Sequence, residues 1–67
     1  MDIKQENDKY RLVDYGTGYF ELETLLEYEG RFGEWLRVGT LMNCDIEAFH
    51  VAIENFEEEL RCMMNFM

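Results

Sequence analysis

From Tyr19 to Glu29 the chain reads YFELETLLEYE, and the reading of this stretch decides the fold. Phe20, Leu22, Thr24, Leu26 and Tyr28 occupy every second position, with Tyr19, Glu21, Glu23, Leu25, Glu27 and Glu29 between them. Successive side chains of a strand point to opposite faces, so the alternation describes a strand with one apolar and one largely charged face. A helix would scatter the same residues around its circumference.

Glycines bound this strand on both sides, Gly16-Thr17-Gly18 before it and Gly30 after it, and beyond them lie two more extended stretches, Lys9 to Tyr15 and Phe32 to Leu41. A one-residue slip in pairing exchanges the two faces of a strand, so the loops can be tested against the apolar pattern. A two-residue loop at Glu29-Gly30 opposes the apolar set with Arg31, Gly33, Trp35 and Arg37, which buries charge. A three-residue loop, Glu29-Gly30-Arg31, instead sets Tyr28 opposite Phe32, Thr24 opposite Leu36 and Leu22 opposite Val38. The same loop length at Gly16-Thr17-Gly18 places Tyr15 opposite Tyr19, Leu12 opposite Leu22 and Tyr10 opposite Thr24. These glycines read as turn residues, not as a phosphate cradle, since no helix follows them.

After Leu41 the period changes. Ile46, Phe49, Ile53, Phe56, Leu60, Met63 and Met67 recur in alternating steps of three and four, an apolar seam of a helix that Asn43 or Asp45 can cap. The seam suits packing across the inner face of the sheet, and secondarily a helix shared with a second protomer. Met1 to Asp8 carries little to bury and reads as a flexible acidic arm, leaving residues 9–67 as one small domain.

The chain has 67 residues, 15 Asp and Glu against 6 Lys and Arg, and a formal charge of -9. A core this small supplies about 3–5 kcal/mol unless something staples it. Cys44 and Cys62 stand 18 positions apart, about 27 Å along a helix and far beyond disulfide reach. Cys44, His50 and Cys62 lack the clustered spacing of a zinc site, so neither a metal nor another cofactor is expected and oligomerisation, as a homodimer, becomes the favoured staple. No apolar run is long enough to span a membrane, and MDIKQENDKY is too polar for a signal peptide, which leads us to expect a cytoplasmic protein without membrane contacts.

The register assigns the charge. On the outer sheet face Glu21, Glu23, Glu27 and Glu29 are balanced by Lys9, Arg11, Arg31 and Arg37, with Glu23 expected between Arg11 and Arg37. The sheet sums to -2, the arm to -2 and the helix to -5. An acidic helix disfavours duplex binding, which depends on Lys and Arg neutralising phosphates. It suits a basic groove on another protein. The outer face also carries Val13, Tyr15, Tyr19, Leu25, Trp35 and Leu41, with Tyr15, Tyr19 and Leu41 expected at one end and Trp35 beside Leu25 near the other. Such a surface calls for a cover, either a second protomer packed face to face or edge to edge, or a foreign protein.

The chemistry-bearing residues point away from catalysis. His50 has no Cys or Ser partner at a telling spacing, Cys62 has only Arg61 beside it, and Glu57-Glu58-Glu59 lacks the alternation and glycine of a calcium loop.

The sequence therefore predicts an α+β domain: a three-stranded antiparallel meander with one C-terminal helix across one face. It is expected to be no enzyme but a protein-binding module, an inhibitor of a nucleic-acid-handling protein. Its contacts are Glu47, Glu54, Glu57, Glu58 and Glu59 on the helix and Tyr15, Tyr19, Leu25, Trp35 and Leu41 on the sheet. Small acidic domains without proline look like phage or mobile-element proteins that inhibit host enzymes, some by imitating nucleic acid. Two alternatives remain: single-stranded nucleic acid stacked on Trp35 among Lys9, Arg11 and Arg37, or a purely structural dimerising role. The order of strands then helix resembles, in outline, the single-strand-binding transcriptional coactivator fold, although no motif accompanies it and the charge runs against it.

Overall fold

The alternating stretch forms strand β3 (Phe20–Tyr28), flanked by β2 (Tyr10–Asp14) and β4 (Arg31–Leu41). The computed structural model of the chain describes residues 1–28 and 31–64, and for residues 27, 28, 31 and 32 the backbone alone. The architecture is α+β, an antiparallel sheet followed by helix α1 (Ile46–Met64). The sheet has four strands where three were expected. Strand β1 (Asp2–Glu6), in the stretch read as a flexible arm, adds to the edge of β2 and gives the order β1-β2-β3-β4. Its sequence carries little apolar alternation, and a turn at Asn7 together with contacts from Gln5 and Ile3 does the positioning. Asn7 turns the chain by accepting from the backbone N–H groups of Lys9 (3.0 Å) and Tyr10 (2.8 Å). Gln5 donates to the Cys44 carbonyl at 3.1 Å, and Ile3 faces Val13 across the ladder.

Strands β2 and β3 pair in the expected register, Leu12 with Leu22 and Tyr10 with Thr24. Gly16 and Gly18 adopt φ of 82° and 93°, the left-handed region open to glycine, and Asp14 closes the turn by accepting from the Gly16 N–H at 2.8 Å. The β3–β4 ladder is less regular. Thr24 meets Leu36 as expected, yet Leu22 meets Gly39 instead of Val38, and Tyr28 meets Arg31 instead of Phe32. Two irregularities, between Leu22 and Glu23 and between Leu26 and Tyr28, account for both changes. The three-residue loop gives way to a pairing of Tyr28 with Arg31, and the bulge returns the strands to the apolar register by Leu26. Glu29 and Gly30 lie outside the described residues.

Asp45 caps α1, its carboxylate accepting from the Ala48 N–H at 2.7 Å. The seam packs over only part of its length. Phe49 is buried with Tyr10, Leu12 and Leu22, and Ala52, Ile53 and Phe56 pack against this cluster together with Phe20, Val38, Leu41 and Cys44. Further along, Leu60 and Met63 are exposed, as is Ile46 at the start, and Met67 lies outside the described residues. No described helix is long and apolar enough to cross a membrane.

Candidate functional site

The outer sheet face is built around Glu23, only 6% exposed although charged. Its carboxylate accepts from Arg11 Nε at 2.6 Å and from the Tyr15 hydroxyl at 2.6 Å, two charge-assisted bonds that offset the cost of removing it from water. Accepting that bond raises the Tyr15 pKa, since the Glu23 carboxylate favours the protonated hydroxyl, with burial as a second cause. Arg11 also lies over the Trp35 ring, 4.2 Å from its centroid, and Trp35 stands beside Leu25 in the ladder. Val13, expected on the surface here, is fully buried between Ile3 and Glu21 in the register of β1, β2 and β3.

The expected trio around Glu23 is reduced to a pair. Arg37 aligns with Glu23 along the backbone, but its guanidinium binds Glu21 at 3.0 Å. Lys9 places its ammonium 5.7 Å from the Tyr10 ring centroid. All three cations proposed for nucleic-acid contact are therefore engaged within the protein. Leu41 leaves the outer face altogether. The bulge after Leu22 pairs it with Phe20, and both pack against the inner core, so Leu41 does not join Tyr15 and Tyr19. Tyr15 is exposed and Tyr19 half-buried.

The helix glutamates divide by direction. Glu47, Glu54 and Glu58, in steps of seven and four residues, share one line of the helix opposite Phe49 and are exposed. Glu57 lies on the flank and accepts from the Tyr10 hydroxyl at 3.1 Å, tying the helix to β2. Burial first, and then that bond, raise the Tyr10 pKa. Glu59 lies on the other flank and lines a groove between α1 and β4. The groove, about 480 Å³, has Val38, Leu41, Ala52 and Phe56 in its walls and Asn43, Asn55 and Glu59 among its polar groups. Sequence periodicity missed it, because it depends on how far the helix stands from the edge strand. Among the described residues, Glu47, Glu54, Glu58 and Glu59 enter no ion pair, and no group of three His, Cys, Asp or Glu comes together that could hold a metal. His50 is exposed and leans on Phe49, and both cysteines are free thiols.

Against this geometry, no protein-family model, no curated protein and no solved structure matches the chain.

Proposed function

We propose that this protein is a non-catalytic protein-binding module whose acidic helix engages a basic surface of another protein, one that ordinarily holds nucleic acid. The observation that carries this reading is the separation of charge. On the sheet each of Arg11, Arg37 and Lys4 is matched to a carboxylate, whereas Glu47, Glu54 and Glu58 stand exposed along one line of the helix without an ion pair among the described residues. Unpaired, same-sign charge on a rigid element raises the encounter rate with an oppositely charged surface and makes the association sensitive to salt. By occupying such a surface the protein would compete with a nucleic acid, and so act as an inhibitor.

The test compares the native chain with a Glu47→Gln, Glu54→Gln, Glu58→Gln variant as immobilised bait in lysate of the source cell. Proteins held through the helix elute with rising salt and with added duplex DNA, and bind the variant at least roughly tenfold more weakly. Capture that ignores the three substitutions and the salt rejects the helix as the contact surface. A labelled single strand at low salt tests the alternative on the same preparations. Affinity for it that disappears in Trp35→Ala or Arg37→Ala would move the function to the outer sheet face.

A further inference from the structure

Leu36, in the middle of β4, is 50% exposed, and on the helix Leu60 (43%) and Met63 (68%) are also uncovered.

The two sheet edges are treated differently. β1 is short, carries Asp2, Lys4 and Glu6, and is broken by an irregularity between Ile3 and Gln5, all features that blunt an edge. β4 runs for 11 residues and, among the described residues, pairs on one side only. The pairing of β3 decides what that edge offers. Leu25 donates its N–H to the Lys9 carbonyl at 2.8 Å, toward β2. Thr24 therefore turns its backbone groups toward Leu36 of β4, and Trp35 and Arg37 turn theirs to the open edge.

We propose that a second copy of this chain occupies this edge, with the two β4 strands antiparallel about a two-fold axis at Leu36, forming one eight-stranded sheet. Leu36 is the midpoint of β4. In this register Leu36 meets its own copy, Trp35 meets Arg37 on each side of the axis, and Glu34 meets Val38. Shifting the axis to Trp35 sets Leu36 against Glu34, and shifting it to Arg37 sets two guanidinium groups face to face. Charge selects the occupant as well. In a chain of charge -9, the β4 stretch holds Arg31 and Arg37 against Glu34 alone, so two copies meet there with the least repulsion. The inference stands independently of the acidic helix, whose outward line remains free for a foreign partner.

Light scattering on a sizing column measures the mass, expected at twice 8.1 kDa for the native chain. Leu36→Asp, at an exposed position, is expected to give a folded monomer by circular dichroism. In a Cys44→Ser, Cys62→Ser background, Leu36→Cys should oxidise to a covalent dimer, because directly opposed residues of a non-hydrogen-bonded pair lie ~4.5 Å apart at Cα. Val51→Cys, on the exposed helix, should not. A native chain that stays monomeric at every concentration overturns the proposal. So does a dimer that survives Leu36→Asp and fails to cross-link through Leu36→Cys.

Discussion

The two ends of α1 are written in the same pattern and meet different fates. Around Phe49 the apolar seam lies over Tyr10, Leu12 and Leu22, and the largest fully buried side chains of the inner core are found there. Past Phe56 the same spacing continues through Leu60 and Met63, yet both side chains are exposed, as are Leu26 and Leu36 on the inner face of the long β3–β4 ladder. Periodicity states which side chains share a face; it does not state whether anything covers that face. The sheet narrows from four strands to two beyond Tyr10, because β2 begins there while β3 and β4 continue. A helix laid across a narrowing sheet packs well at one end and overhangs at the other.

The comparison can be broken most directly at the packed end. Phe49→Ala is expected to cost about 3–5 kcal/mol, as for large aromatic deletions in cores, enough to unfold a domain of this size in urea titrations. A loss under 1 kcal/mol would mean that the core does not centre on Phe49. Next comes Gly33 in the β3–β4 extension, where an added Cβ would overlap the Leu26 carbonyl. Gly33→Ala should cost roughly 1–3 kcal/mol, the range of over-packing, and shift the amide resonances of β3 and β4 while sparing β1. Removing the cap with Asp45→Ala should cost about 1 kcal/mol in the same titration, since the Ala48 N–H loses its acceptor.

A pH titration sharpens the comparison of the two sheet faces. Tyr10 on the inner face and Tyr15 on the outer face both have raised pKa values, so the folded protein holds these protons longer than the unfolded chain does. Their contribution to stability is complete below the ordinary tyrosine value of 10.0 and is lost as pH rises through the raised folded values. Absorbance at alkaline pH should show a late phenolate phase that shrinks in Tyr10→Phe and again in Tyr15→Phe. Equal ionisation in the folded and urea-unfolded chain would dissolve the Tyr15–Glu23 bond as a stabilising feature. The smallest effect belongs to the overhanging end: Met64→Ala, at a side chain 74% exposed, should leave stability within about 0.5 kcal/mol.

The helix carboxylates were legible in the sequence as a group, and their division only in part. Glu47, Glu54 and Glu58 point outward because of helical spacing alone, which any reader of the periodicity can compute. That Glu57 is committed to Tyr10 and Glu59 to the groove depends on the side from which the sheet approaches. The cations of the outer face follow the same rule. Their positions opposite glutamates were readable, while Arg37 choosing Glu21 over Glu23 depends on the local bulge.

By itself the sequence determined the elements with strong local signals: β3 through its alternation, its register with β2 through shared apolar faces, the glycine turn and the helix, whose cap it narrowed to Asn43 or Asp45. Each rests on interactions between residues close in the chain, or on a two-fold alternation that tolerates no slip. Only the tertiary structure decided the rest. β1 is held by an edge ladder, an Asn7 turn and a bond from Gln5 to a carbonyl 39 residues away, none of which leaves a periodic trace. The bulges that move Leu41 to the inner face and pair Tyr28 with Arg31 insert a residue into one strand, and that choice balances burial across the whole sheet rather than following from any residue's own preference.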